Sequence, residues 1–316
     1  MARATRILFA TDLHGSSKCF RKFVNAPPIY RADILVLGGD LAGKAIQTIV
    51  RESGGRWRCR FIGVDYSVEE GSDLLALERL IEDHGYYPHR VDPGELEALD
   101  SDEFEALFAR LMEARLTAWL ALADERLRPT GVPLFLMLGN DDPMSLRPLL
   151  DAAPWGTHAE GRVVMLDDGH EMISWGYSNI TPWHSHREQT EEQLAHVLHQ
   201  LGGSLQDPAR AVVNVHVPPF GTQLDDAPVL DSDLRVVQVM GQVKFAPVGS
   251  TAVRDFLFAT QPLLGLHGHI HESAGIRRLG RTIAINPGSD YATGSLHGAL
   301  VTLEDDRVAA HQLVRG

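Results

Sequence analysis

The chain has 316 residues, 44% of them hydrophobic and 22% charged, with a formal net charge of −13. That length can bury a substantial core in one large or two modest domains, and the acidic balance excludes a protein built to wrap long nucleic acid by counterion release. No stretch approaches the roughly 18 consecutive apolar residues of a membrane span, and the two cysteines, Cys19 and Cys59, cannot build a disulfide framework.

At the start of the chain, residues 7–10 are too short for a signal h-region and run straight into polar Asp12 and His14. No secretory signal is therefore expected, and the isolated cysteines suit a reducing, cytoplasmic location. Five apolar runs then share one pattern, each stopping at polar, often Gly-flanked residues. Residues 6–10 stop at Thr11-Asp12-Leu13-His14-Gly15, 33–37 at Gly38-Gly39-Asp40, and 132–138 at Gly139-Asn140-Asp141-Asp142. Residues 211–215 stop at His216, and 262–266 at His267-Gly268-His269-Ile270-His271. Short apolar runs bounded by turn signals predict buried strands, and open α/β sheets place their sites at the C-terminal ends of such strands.

Between the second and third runs lies an insertion over residues 45–130. Its first part, 45–64, reads as a hairpin turned at Ser53-Gly54-Gly55, with Trp57 and Phe61 on the return strand. Its second part, 68–84 and 95–128, reads as helical, with Leu96, Leu99, Phe104, Leu107, Leu111 and Leu116 near helical spacing. Further strands are predicted at 162–166, 171–177, 281–285, 298–303 and 308–314, and a helix at 188–201. The alternation implies an α/β fold, a single domain over 1–316 that carries the insertion as a cap.

Seven residues at the strand ends carry the chemistry: Asp12, His14, Asp40, Asn140, His216, His269 and His271. Carboxylate, amide oxygen and imidazole suit a divalent metal such as Mn, Fe or Zn. Asp12 and His14 are two apart, as are His269 and His271, so each pair shares a face on an extended strand. Seven candidates exceed a closed four-coordinate site and fit two ions sharing a bridging carboxylate, the pairing used in phosphate-ester chemistry.

These ordered blocks, with the later Asn286-Pro287-Gly288-Ser289, resemble the calcineurin-like metallophosphoesterase superfamily, and in particular its prokaryotic phosphodiesterase-like branch. The resemblance runs from about residue 7 to 289. It implies a four-layer αββα sandwich, here with a hairpin-plus-helical insertion. It also implies a first metal held by Asp12, His14, Asp40 and His271, and a second by Asp40, Asn140, His216 and His269. Asp40 would bridge the two, and a metal-bridging hydroxide would attack phosphorus in line.

Many members have His directly after the motif Asn, where this chain has Asp141. That departure argues against the protein Ser/Thr phosphatase branch and makes Asp141 a candidate proton donor beside Asp40 in catalysis. The expected activity is a phosphodiesterase acting on a small phosphate ester. The alternatives are a phosphomonoesterase on nucleotides or sugar phosphates and a non-catalytic interaction scaffold. The exposed faces of such a sandwich leave room for an oligomer, and no membrane partner is expected.

Other residues receive structural readings. Cys19 and His267 are expected to pack in the core, and His184 and His186 to lie in a solvated loop. His84, His89, His158, His170, His196 and His199 are expected on the surface. Asp225, Asp226, Asp231 and Asp233 read as a solvated acidic loop. Asp142 is a candidate partner for a metal-ligating His, and Asn286 and Ser289 read equally as supports of the metal loops or as ordinary turn residues.

Overall fold

The apolar run that opens the chain becomes β1 (Thr5–Ala10), in which Ile7 and Phe9 face one way, Leu8 and Ala10 the other, and all four are buried. A strand buried on both faces needs cover on both. The computed structural model describes residues 4–95 and 98–316 and shows what provides that cover. Residues 1–3 of the signal reading and Leu96 of the helical pattern lie outside the described residues.

After β1 come α1 (Ser17–Val24), the short α2 (Pro27–Tyr30) and β2 (Ile34–Leu37). The inserted segment follows with β3 (Ile46–Arg51), β4 (Trp57–Phe61), β5 (Val64–Val68), α3 (Ser72–Asp83), β6 (Tyr87–Val91) and the long α4 (Ser101–Leu127). The chain continues through β7 (Leu134–Leu136), α5 (Arg147–Asp151), β8 (Thr157–His158), β9 (Val163–Met165) and β10 (Glu171–Trp175). The two-residue strands β11 (Ser178–Asn179) and β12 (Glu188–Gln189) precede α6 (Glu191–Gly202) and β13 (Val212–Val215). An arm made of β14 (Asp226–Pro228), β15 (Gln238–Val239), β16 (Gln242–Val243) and β17 (Phe245–Pro247) leads to α7 (Thr251–Thr260). The last strands are β18 (Leu264–Leu266), β19 (Gly275–Leu279), β20 (Thr282–Asn286), β21 (His297–Glu304) and β22 (Arg307–Arg315).

Two six-stranded sheets result, in the orders β22-β21-β1-β2-β7-β8 and β19-β20-β18-β13-β10-β9. Each has four parallel strands: in the first, β1, β2, β7 and β8 run to one edge and antiparallel β21 and β22 complete the other, and in the second, β20, β18, β13 and β10 are flanked by antiparallel β19 and β9. Ile7, Phe9, Ile34 and Val36 of the first sheet pack against Met172, Val212, Leu264 and Ile285 of the second. On the outer face of the first sheet, Leu8, Leu35 and Leu37 pack with Phe20 and Phe23 of α1 and with Trp119 and Leu120 of α4. On the outer face of the second, Ile173, Val213 and Val215 pack with Leu198 of α6 and Leu257 of α7. The layers are helix, sheet, sheet, helix, the αββα order expected.

The inserted segment differs from its reading in two ways. The hairpin of β3 and β4 is as expected, but β5 extends it antiparallel and β6 pairs parallel with β3, giving a four-stranded sheet where residues 85–94 carried no strand prediction. Its apolar face, Ile49, Trp57, Cys59 and Phe61, packs on Leu74, Leu77 and Ile81 of α3. The second difference is α4, which starts at a capping box of Asp100 and Glu103 but buries Leu116, Trp119, Leu120 and Ala123 in the outer layer of the main sandwich. Residues 45–130 therefore contain both a separate small sheet and one of the sandwich's own helices. The helix predicted at 188–201 begins later, at Glu191, because the Thr190–Gln193 capping box sets its start and residues 188–189 pair in β12.

Three polar residues expected at the surface are buried instead. Asp225 accepts backbone N–H groups of Gly221 (2.8 Å), Thr222 (3.1 Å) and Gly249 (3.0 Å), so it closes the loop leading from β13 rather than facing solvent. His170 lies 2.9 Å from Asp167 in a tight turn. His158 sits where the sheets meet, its Nδ1 2.6 Å from Asp151 and its Nε2 3.6 Å from Glu160, which also pairs with buried Arg187. Burial opposes protonation of His158, but the hydrogen bonds and charges of Glu160 and Asp151 outweigh it and hold the imidazole above its usual 6.5. A raised histidine contributes stability that is fully present below the unfolded value near 6.5 and is lost as pH rises through the folded value. Replacing His158 with Asn should therefore lower the thermal midpoint more at acidic than at alkaline pH, measured by calorimetry across that window.

Candidate metal centre

The functional residues lie just past the strand ends, where the backbone leaves the ladder. Asp12 N–H donates to Gly39 O (3.0 Å), His14 N–H to Asp40 O (2.9 Å) and Gly15 N–H to Leu41 O (2.7 Å), so the loops after β1 and β2 stay laced together. Asp12, His14, Asp40 and His269 all have left-handed backbones, with φ of 55°, 40°, 51° and 67°. Such conformations are uncommon outside glycine and cluster at functional sites. Asp12, His14, His269 and His271 thus lie in turns past the strand ends, not on an extended strand as expected, and the turns bring their side chains into one volume.

Within that volume the ligating atoms of Asp12, His14 and His271 lie within 4.8 Å of one another, as do those of Asp40, His216 and His269. Asp40 Oδ2 lies between the groups, 3.5 Å from His14 Nε2 and 3.3 Å from His216 Nε2. His14 and His271 bring their Nε2 atoms to 3.1 Å, and His271 Nε2 is 3.4 Å from Asp12 Oδ1. Asn140 is buried at the same place: its Nδ2 donates to Asp141 Oδ1 (3.0 Å) and Ser185 Oγ (2.8 Å), while its Oδ1 has no hydrogen-bond partner. The structure thus gathers all seven residues in one cluster.

Donor chemistry tests whether a metal fits. His216 Nδ1 donates to Gly38 O (2.8 Å), leaving Nε2 toward the carboxylates without a hydrogen-bond partner. Burial opposes protonation of His216, but Asp40 and Asp12 outweigh it and push the imidazole up to about 10. Burial instead pushes His14 down to about 3 and His269 to about 4. Burial also opposes ionisation of Asp12 and Asp40, yet His216 beside them holds both below the usual carboxylate range. Buried, ionised carboxylates grouped with imidazole nitrogens, and the unpartnered Asn140 amide oxygen in the same cluster, are a donor set that fits a divalent cation, whose binding would displace the proton from His216.

The loops behind the ligands are held by residues that sequence reading left open. Ser289 Oγ donates to Asp12 O (2.7 Å), and Asn286 Nδ2 reaches Leu224 O (3.0 Å) and Ile270 O (2.9 Å), so both support the metal loops. Asp142 has no hydrogen bond or ion pair with a histidine among the described residues, contrary to expectation. It accepts from Leu41 N (3.0 Å), Ala42 N (2.7 Å) and Gly139 N (2.7 Å), tying the Asp40 loop to the Asn140 loop. His267 is core, its Nδ1 donating to Val215 O (2.8 Å), and Cys19 is buried in packing. His184 and His186 are both exposed in their loop, as expected, but Ser185 between them contacts Asn140. Asp141 lies in the cluster, its N–H donating to Asp40 Oδ1 (2.9 Å) and its Oδ2 2.6 Å from Lys44 Nζ. Lys44 drew no attention in the sequence because it stands four residues past Asp40, at the start of the insertion.

No protein-family model matches the chain. The uncharacterised protein MJ1162 of Methanocaldococcus jannaschii is 30% identical over 137 residues, which are 42% of this chain and 56% of that protein, so the match spans about half of its length. Among solved structures, TT1561 of Thermus thermophilus is 14% identical, with 99% of each chain covered and a TM-score of 0.55; this likeness shows the fold. YfcE, a phosphoesterase from E. coli, is 13% identical over 98% of each chain with a TM-score of 0.33, too low to carry a functional argument. No helix among the described residues is long and apolar enough to cross a membrane.

Two glycines make the close approach of the ligand loops feasible. A Cβ at Gly139 would collide with Asp40 Oδ1, and one at Gly268 with Asp12 Oδ2. Gly268→Ala should therefore displace Asp12 and weaken Mn binding about tenfold or more, while circular dichroism stays near wild type. Titration calorimetry with Mn reads the loss.

Proposed function

We propose that the chain is a dinuclear metal-dependent phosphoesterase that hydrolyses small phosphodiesters. The observation that carries this reading is the position of Asp40 between the two triads, the place of a carboxylate shared by neighbouring ions. Asp12, His14 and His271 would hold one ion and Asn140, His216 and His269 the other, with Asp40 serving both. Mn, Fe or Zn suits these donors, and when bound the ions would supply a nucleophile at neutral pH and offset charge on the phosphoryl oxygens.

The protein's own residues do the remaining work. The laced loops fix the ligands before substrate arrives, so little reorganisation is needed as charge develops. Gly38 O, by accepting from His216 Nδ1, keeps Nε2 free to ligate. Ser185, by accepting from Asn140 Nδ2, keeps Oδ1 turned to the cluster. Asp141 is engaged by Lys44 at 2.6 Å, which favours an anchoring role over the proton donation first expected of it.

Purified protein supplied with Mn should hydrolyse bis(p-nitrophenyl) phosphate in preference to p-nitrophenyl phosphate. Asp40→Asn should lower kcat at least ~10³-fold and reduce metal content from two ions per chain. A Mn-loaded wild type inactive on both esters would refute the reading, as would full activity in Asp40→Asn.

A further inference from the structure

We propose that Lys44, held by Asp141, is a binding site for the substrate's phosphoryl anion and biases the centre toward singly charged esters; this rests on the phosphoesterase reading above. Lys44 is rigidly presented. Leu41 and Ala42 donate their N–H groups to Asp142, and Gly43 N–H donates to Tyr87 Oη at 2.8 Å, so the turn that carries Lys44 is fixed residue by residue. Its side chain is 51% exposed while its partner Asp141 is 25% exposed, which places the ammonium at the boundary between cluster and solvent.

The pair differs from an ordinary surface ion pair, whose worth is small. Asp141 is pinned from behind, its N–H on Asp40 and its Oδ1 accepting from Asn140 Nδ2. Its ligating oxygen also groups with His14 and Asp40 within 4.8 Å. The Lys44 charge accordingly bears on His14, His271, Asp40 and Tyr291. Tyr291 flanks the same place, its ring centroid 4.7 Å from that of His14 and 5.9 Å from that of His271.

An ammonium has three donors and no acceptor. Asp141 takes one, leaving two for an incoming anion. A centre lined by carboxylates repels phosphate esters until cations offset them, and Lys44 is the one lysine or arginine paired directly to a cluster carboxylate among the described residues. Because Asp141 cancels much of its charge, the pair supplies a directional donor without a full extra positive charge. That suits a diester, with one negative charge on phosphorus, better than a monoester with two.

Three variants of the Mn-loaded protein test this: Lys44→Gln, Lys44→Arg and Asp141→Asn. Inorganic phosphate serves as competitive inhibitor of bis(p-nitrophenyl) phosphate hydrolysis and as calorimetric titrant. Lys44→Gln should weaken phosphate binding and raise KM about tenfold with Mn stoichiometry unchanged, and Lys44→Arg should restore most of the binding. Asp141→Asn, which frees the ammonium, should tighten inorganic phosphate and shift kcat/KM about tenfold toward p-nitrophenyl phosphate. Wild-type phosphate affinity and KM in Lys44→Gln would overturn this proposal while leaving the phosphoesterase reading intact. A wild type that neither binds phosphate nor hydrolyses either ester would overturn both.

Discussion

Two carboxylates, Asp12 and Asp40, are buried together among the imidazoles of His14, His216 and His271, and most of the molecule's arrangement answers that fact. His216 Nε2 lies 3.7 Å from one and 3.3 Å from the other. Charges removed from water cost several kcal/mol each unless neutralised, and two of the same sign compound the cost. A proton on His216 relieves it in part, and a bound divalent cation would relieve it further, which would link binding at the cluster to stability of the fold.

Keeping such a cluster assembled demands backbone that does not relax. The four residues with left-handed backbones are unfavourable locally and persist because their loops are cross-tied: by Asp142 between the loops after β2 and β7, by Ser289 to the loop after β1, and by Asn286 to the loop after β18. These ties run between strand ends of both sheets. The strain is thus borne by the sandwich as a whole, whose inter-sheet core of Phe9, Val36, Leu266 and Ile285 is fully buried.

Much of this was legible in the order of residues, for an identifiable reason. Central strands buried on both faces read as unbroken apolar runs, and each ended abruptly at a polar residue, so strands and ligands announced one another. The layer order and the seven converging side chains followed. What stayed hidden depends on contacts between distant segments. Strand β6 contains Pro88 and pairs parallel with β3 far earlier in the chain, so no local turn signals it. Asp225 and His158 look like surface residues because their partners are backbone amides or side chains brought together only by folding. Lys44 belongs to no apolar run or motif, and only the loop geometry sets it against Asp141.

The helix α4 has a further consequence. Its N-terminal turns leave the inserted segment while its C-terminal half packs with α1 on the outer face of the first sheet, with Trp119 stacked on Phe20 at 4.4 Å. Arg115, midway along it, donates to Gly15 O (2.6 Å) beside the first ligand loop and pairs with Glu82 at the end of α3. One rod is therefore bolted to the sandwich, to the ligand loop and to the small sheet's helix at once. The loop after β1 and the helix of the small sheet thus share one support and cannot shift independently of it.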